Sequence, residues 1–347
     1  MNATTYDMAP ARVAPVHPTH RFRMLLRREY WEHKGGFFWA PVIASIISLA
    51  MTVMGIVLAL MSVKKLQANG DFDINGVKVN GLDFTALLQR MDADDLREIG
   101  SGLDLFVLMS STWPLIVLAF VVFFYCLGTL YDDRKDRSVL FWKSMPISDT
   151  HTVLSKVTSA LVTAPVIALL VCAATVVATM LILSVVVLIS GNNPMTVVWG
   201  PASPTHVMGY LFGAIPIYVL WALPTVGWLL LCSAWARSKP FLWAVMLPIF
   251  AGVIVSWLSL FSSETQDSSW FWSNVVGRLL LGTVPGVEVI YRGIGQPGNS
   301  LESVMRNFAS VDAMLGTLSM PSLWIGAAAG VAMIAAAIRL RRWRDEG

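Results

Sequence analysis

The sequence predicts an all-α polytopic membrane protein with six transmembrane helices, and three observations lead to this prediction. Hydrophobic residues make up 56% of the 347 positions and charged residues only 14%, whereas soluble domains carry about 25% charged residues. Six apolar runs have lengths near the roughly 20 residues that cross a bilayer. Lys and Arg residues are also divided unequally between the loops on the two sides. The bilayer is therefore the expected solvent for most of the chain.

The six predicted spans occupy residues 37–63, 105–130, 157–190, 207–236, 241–261 and 322–338. The third run has 34 uncharged residues, and a helix of that length measures about 50 Å against a hydrocarbon core of about 30 Å. It must therefore tilt or project beyond the membrane. Residues 270–289 are also apolar, but Arg278, Pro285 and Glu288 interrupt them. We interpret that segment as re-entrant or interfacial.

The distribution of basic residues predicts the orientation. Six crossings place the N-terminal segment 1–36, the loop 131–156, the loop 235–240 and the C-terminus on one side of the membrane. That side holds 17 Lys and Arg residues, and the other side holds 8. Because basic loops are retained in the cytoplasm, we expect both termini to be cytoplasmic and the protein to lie in a bacterial inner membrane. A seventh span would place the C-terminal arginine cluster outside, against this rule.

The outer loop 64–104 predicts a small extracytoplasmic α+β loop domain. Asn75-Gly76 is typical of a two-residue β-hairpin turn, because apolar residues flank it on both sides, namely Phe72, Ile74, Val77 and Val79. Residues 84–99 predict a short helix. The other large outer loop, 262–321, contains the interrupted apolar segment.

The sequence lacks the residues that several classes of function require. The sequence has no P-loop, no HExxH and no GxSxG motif, and its five histidines are scattered, so we expect neither an enzyme nor a metal or cofactor site in this chain. The predicted spans contain no charged residue in their interiors, which disfavours an ion-coupled carrier. A net charge of +3 indicates no nucleic-acid-binding surface. Energy for any transport would therefore come from another subunit.

The segment 20–34 predicts a basic amphipathic helix on the cytoplasmic membrane surface. At 100° per residue one face collects the apolar side chains of Phe22, Leu25, Leu26 and Tyr30. Five basic residues flank and oppose that face, namely Arg21, Arg23, Arg27, Arg28 and Lys34. Two interpretations remain open: a simple topology anchor, or an elbow helix that receives force from a partner.

The cytoplasmic loop 131–156 combines a charged block with an apolar patch. Six consecutive charged residues at 132–137 precede Val139-Leu140-Phe141-Trp142, and Ser148 or Asp149 is a plausible N-cap for the third span. A solvated loop has no need of such a patch, which buries itself either in a partner's groove or in the lipid surface.

In the last span, Gly326 and Gly330 form a GxxxG pattern that favours close helix packing, within this chain or across a dimer.

Two stretches carry a resemblance to a known family. LLRREYWEHKGGFFWAP (25–41) and LYDDRKDRSVLFWKSMPISDTHTVLSK (130–156) resemble the elbow helix and the coupling helix of the membrane (permease) subunits of type-2 ABC transporters, an exporter-like class. The six-span layout fits that family over nearly the whole chain. The interrupted segment before the last span is similar to the family's re-entrant outer-leaflet hairpin.

The resemblance implies a complex of two permeases, as a homodimer or a heterodimer with a related permease, with two separate ATPase subunits that bind ATP and Mg. It also implies an exporter, and an apolar pathway would suit a hydrophobic or amphipathic substrate. The coupling surface would comprise Arg134, Arg137, Val139, Leu140, Phe141, Trp142 and Lys143. Arg278 and Glu288 would be candidates for an outer gate, or else snorkelling charges. The alternative function is a membrane scaffold or signalling component, and a lipid-modifying enzyme ranks last.

Overall fold

The computed structural model describes residues 18–68, 73–74, 77–78, 93–136, 148–261, 268–287 and 315–343. Within these ranges the chain is almost entirely helical. Six of the described helices are long and apolar enough to cross a membrane, which confirms the prediction of an all-α polytopic protein with six candidate spans. They match the six predicted spans one for one, with different boundaries.

The elements follow one another as helices joined by short turns, with one pair of very short strands. In chain order they are α1 (Pro18–Glu32), α2 (Ala40–Ala68), β1 (Asp73–Ile74), β2 (Val77–Lys78), α3 (Ala93–Ser111), α4 (Trp113–Lys135), α5 (Asp149–Thr158), α6 (Ala164–Ile189), α7 (Pro204–Trp235), α8 (Pro240–Ser259), α9 (Ser268–Phe271), α10 (Arg278–Leu281) and α11 (Pro321–Trp343).

Short π-helical turns join several of these helices. Gly35–Trp39 joins α1 to α2, and Ser159–Thr163 joins α5 to α6. Two more lie at Met195–Trp199 and Trp272–Gly277. Each π-turn holds one more residue per turn than an α-helix, so it changes the face that the following helix presents.

The third span is the longest continuous helix, with 41 residues from Asp149 to Ile189. Its N-cap is Ser148, whose hydroxyl accepts the backbone N–H of His151, which confirms one of the two predicted capping positions. At 1.5 Å per residue the helix is about 60 Å long. It therefore extends well beyond the thickness of a hydrocarbon core, as its apolar run predicted.

The second span extends from Ile99 to Lys135, beyond its predicted bounds of 105–130, and it contains a break. The helices α3 and α4 meet at Thr112, two residues before Pro114, and proline disfavours helical geometry in the residue before it and removes a donor. Helix α3 already begins at Ala93. Residues 93–99 are thus part of the second span's helix and do not form a separate short helix, while 84–92 lie outside the described residues.

In the predicted outer loop the two short strands pair antiparallel. Asp73 lies opposite Lys78 and Ile74 opposite Val77, the register that brackets the two-residue turn predicted at Asn75-Gly76. The remainder of the predicted loop domain lies outside the described residues.

The segment 268–287 turns back along the bundle and is not a seventh span among the described helices. It starts beside the last turn of α8, where Trp272 donates its indole N–H to Ser256 Oγ at 2.8 Å. It reaches Thr225, whose hydroxyl donates to the carbonyl of Arg278 at 2.6 Å. Thr225 lies about 15 Å from the end of α7 at Trp235. The chain then reverses, because Thr283 O accepts from Tyr218 OH, nearly two turns back along α7.

Helix α7 is the most buried of the six spans, and α11 packs directly on its backbone. A Cβ atom at Gly330 would lie 2.6 Å from the carbonyl carbon of Leu223 and 2.7 Å from the nitrogen of Pro224. Only glycine permits this approach, so Gly330 of the predicted GxxxG pattern lies in a helix contact within the chain.

This packing makes a prediction about Gly330→Ala. A helix-interior Gly→Ala change normally stabilises by about 0.5–1 kcal/mol, but here the methyl group must push α11 away from α7. We expect the variant to lose about 1–3 kcal/mol, measured as the unfolding free energy in detergent micelles. The matched control is Gly55→Ala in α2, where a Cβ atom meets nothing within 4 Å. Equal stability of the two variants would contradict the described packing.

Candidate functional site

Five charged side chains meet where four helices end. Glu29 comes from α1, Asp133 from the last turn of α4, Asp149 and Lys156 from α5, and Arg341 from the last turn of α11. We call this set the ion-pair network. It shows that the predicted cytoplasmic elements, namely the N-terminal helix, the ends of the loop 131–156 and the C-terminal helix, lie together at one end of the bundle.

Lys156 is the centre of one half of the network. Its Nζ lies 3.2 Å from Glu29 Oε1 and 3.5 Å from Asp133 Oδ2, and it donates to Thr129 Oγ1 at 2.6 Å. The side chain is 3% exposed. This buried cation therefore has one hydrogen bond and two carboxylate partners.

Arg341 is the centre of the other half. Its Nη1 donates to Asp133 Oδ2 at 3.1 Å and its Nε to Asp149 Oδ1 at 3.3 Å. Asp133 thus bridges Arg341 and Lys156, and a single carboxylate links the end of α11 to the start of the third span. Because the interaction of buried charges is weakly screened, each member depends on the others.

Glu29 holds α1 against the rest of the bundle. It is 1% exposed, and besides Lys156 its carboxylate accepts a hydrogen bond from Tyr125 OH at 2.8 Å. The ring of Tyr125 packs edge-on against Phe37, with centroids 5.0 Å apart, and Phe37 is fully buried in the first π-turn. A buried hydrogen bond therefore joins α1 to α4, and aromatic packing joins α4 to the π-turn that follows α1.

One predicted coupling residue lies within the bundle. Arg134 donates from Nη2 to the carbonyls of Ser233 at 2.6 Å and Ala236 at 2.9 Å. These carbonyls belong to the end of α7, where they lack partners within the helix. Arg134 therefore joins the ends of α4 and α7. The other predicted coupling residues, Arg137, Val139, Leu140, Phe141, Trp142 and Lys143, lie outside the described residues.

The ion-pair network brackets the loop 137–147, which is itself outside the described residues. Asp133 lies three residues before Asp136, the C-cap of α4, and Asp149 directly follows the N-cap Ser148. Both ends of this loop are thus attached through carboxylates to the same arginine, Arg341.

The predicted apolar face of the N-terminal helix packs in part against protein. Leu25 is 5% exposed, and Phe22, Leu26 and Tyr30 are half-buried. The ring of Phe22 lies 6.4 Å from that of His151 in α5. Helix α1 therefore follows α5 in the same direction, with Glu29 and Lys156 further along the pair.

The predicted outer-gate residue Arg278 is buried between helices. Its guanidinium donates to the carbonyls of Ser322 and Leu323 at the start of α11, and its Cζ lies 4.3 Å from the centroid of the Trp221 ring. A Cβ atom at Gly326 would lie 2.4 Å from that Cζ. Gly326 thus makes room for Arg278, while Glu288 lies outside the described residues.

None of the five members of the network was predicted from the sequence as a site residue. Lys156 and Arg341 contributed to the count of basic residues on the cytoplasmic side, and Asp133 stood in the charged block at 132–137. A usable signal was present: charges of opposite sign lie within about two turns of the span boundaries on one predicted side. Pairing them requires knowing which helix ends are neighbours, and hydropathy does not supply that.

Comparisons of the chain with protein-family models, with curated proteins and with solved structures found no match in any of the three. Within the part of the chain that the structure describes, no group of three or more His, Cys, Asp or Glu side chains could hold a metal ion. The ion-pair network is therefore interpreted from its geometry, as a junction that ties helix ends together.

The buried position of Lys156 makes a prediction about Lys156→Met. The change removes the cation shared by Glu29 and Asp133 and leaves two buried carboxylates without it, a loss of about 3–5 kcal/mol. The unfolding free energy of the purified protein should fall accordingly. Lys135→Met is the matched control, because Lys135 is an exposed lysine in the last turn of α4. This variant should change the unfolding free energy by less than about 0.5 kcal/mol. Similar losses in both variants would show that the network does not stabilise the bundle.

Proposed function

We propose that this chain is the membrane (permease) subunit of an ATP-binding cassette transporter, an exporter driven by a separate ATPase subunit. One observation carries the proposal: the ion-pair network fastens both ends of the loop 137–147 to α1 and α11. A force applied to that loop would reach several spans at once. Such an arrangement suits a protein whose conformation is driven by a partner in the cytoplasm.

The charge distribution within the spans supports an external energy source. The described carboxylates of the network lie at helix ends. Asp104 lies near the opposite end of the bundle, where it accepts a hydrogen bond from the backbone N–H of Ser203 at 2.8 Å. Proton- and ion-coupled carriers place ionisable groups near the middle of the membrane. The described spans offer no carboxylate at that depth, so ATP and Mg in a partner chain remain the preferred source.

The proposed assembly has two permeases and two ATPases, with both termini of each permease in the cytoplasm of a bacterium and its spans in the inner membrane. The spans present mostly apolar side chains, which suits a hydrophobic or amphipathic substrate. In this assembly Phe141 and Trp142 insert into a groove of the ATPase, and the ion-pair network transmits its movement. The turning-back segment 268–287 acts as a re-entrant hairpin in the outer leaflet.

A double variant tests the docking contact. Phe141→Ala with Trp142→Ala should greatly reduce recovery of the ATPase in a pull-down and abolish transport, because an aromatic interface anchor contributes about 2 kcal/mol or more. The partner to test is a soluble P-loop ATPase, and the first place to look for it is the adjacent reading frame. Trp343→Ala is the control, since Trp343 is an exposed aromatic at the same end of the bundle. Full recovery and full transport in the double variant would rule out this docking surface, and the scaffold alternative would then lead.

A second variant separates docking from transmission. Asp149→Asn removes one charge from the Arg341–Asp149 pair and leaves the loop 137–147 unchanged. We expect the ATPase to bind and hydrolyse ATP as before, while transport per ATP hydrolysed falls at least several-fold. The measurement is transport and hydrolysis in the same proteoliposomes. Parallel losses of binding, hydrolysis and transport would instead assign Asp149 a purely structural role.

A further inference from the structure

An apolar groove runs along the seam between α2 and α6. Its larger part, with a volume of about 620 Å³, is lined by Val42, Ile46 and Leu49 of α2 and by Leu170 and Ala174 of α6. That volume is within the range of sites that hold drug-sized ligands. The groove is open on the side that faces away from the bundle.

The groove continues further along the same two helices. A second part, of about 190 Å³, is lined by Val53, Val57 and Leu60 of α2 and by Ile182 and Ile189 of α6. From Val42 to Leu60 the seam extends about 27 Å at 1.5 Å per residue. The groove is therefore nearly as long as the hydrocarbon core of a bilayer is thick, which is about 30 Å.

Three hydroxyl groups in this lining are hydrogen-bonded within the protein, and the phenol of Tyr30 lies at one end of the groove. The hydroxyls of Ser45 and Thr175 hydrogen-bond each other across the seam, and the hydroxyl of Ser190 donates to the carbonyl of Val186 at 3.0 Å. The rest of the described lining is hydrocarbon or aromatic. An extended apolar chain fits such a groove, whereas a polar ligand would gain no hydrogen bonds there.

One end of the groove opens beside basic residues of α1. Tyr30 lines that end, and Arg27 and Lys34 lie about one helical turn before and after it. At 100° per residue Arg23, Arg27, Tyr30 and Lys34 fall within about 60° of one another. Arg23 and Arg27 are exposed, and Lys34 Nζ lies 4.9 Å from the centroid of the exposed Trp31 ring. The mouth of the apolar groove is therefore positively charged.

We propose that the groove binds one acyl chain of an anionic phospholipid, whose headgroup phosphate is held by Arg27 and Lys34. An apolar slot with cations at one end is complementary to an anionic lipid in charge, and the groove is long enough to hold one acyl chain, which spans one leaflet of about 15 Å. A second copy of the chain docked on this seam by two-fold symmetry would bring two sets of these cations together, which is unfavourable. The site is independent of transport, because a scaffold with this seam would bind the same lipid.

The experiment is native mass spectrometry of the purified full-length protein, titrated with phosphatidylglycerol or with phosphatidylcholine of the same chain length. We expect phosphatidylglycerol to bind about 25-fold more tightly, because two cations contribute about 1 kcal/mol each. Arg27→Gln with Lys34→Gln should remove most of this preference, at about fivefold per cation, which corresponds to about 1 kcal/mol each, and should leave phosphatidylcholine binding unchanged. Arg342→Gln is the control, because Arg342 is exposed on α11 at the same end of the bundle.

A groove-filling variant tests the other half of the site. Ala174→Phe should weaken the binding of both lipids at least several-fold, whereas Ala335→Phe on the exposed side of α11 should not. Equal affinity for the two lipids in the wild type, or unchanged lipid binding in Ala174→Phe, would overturn the proposal. Loss of a dimer in Ala174→Phe with lipid binding intact would assign the seam to a second copy.

Discussion

A positive charge buried among helix ends is the constraint on which the rest of this architecture depends. Lys156 has almost no contact with water. A buried ammonium group is stable only where carboxylates and hydroxyls pair with it. Glu29, Asp133 and Thr129 meet that requirement, and they come from α1 and α4. Satisfying one side chain thus fixes how the N-terminal helix, the second span and the third span meet.

The same requirement extends to Arg341 because Asp133 is shared. The last helix cannot slide along α7 without separating this pair. Gly330 limits the same movement from within the bundle, since it leaves α11 in direct contact with the backbone at Leu223. An ionic contact at one end and backbone packing in the middle therefore hold α11, while its start is attached to Arg278.

The sequence predicted the features that depend on local composition. Six spans, the excessive length of the third and the N-cap at Ser148 all follow from hydropathy and capping preference. The break at Thr112 had a local signal in Pro114. Local composition does not reveal which charges pair in the ion-pair network or that α2 and α6 form a groove, because both depend on which helices are neighbours. Arg134 illustrates the limit: it stands in a charged block typical of a solvated loop, yet it caps the end of α7.

Two π-turns set the rotation of the ion-pair network relative to the groove, one before the first span's α-helix and one within the third span. Gly35–Trp39 and Ser159–Thr163 interrupt neighbouring helices that run in the same direction, each between the ion-pair network and the groove. Deleting one residue from either turn would rotate everything before it by about 100° relative to everything after it. A deletion in Gly35–Trp39 would turn Glu29 away from Lys156 and Tyr30 away from the groove, while the lining from α2 and α6 stayed in place. A single-residue deletion at this point is thus equivalent to a loss of the network, although it removes no charge.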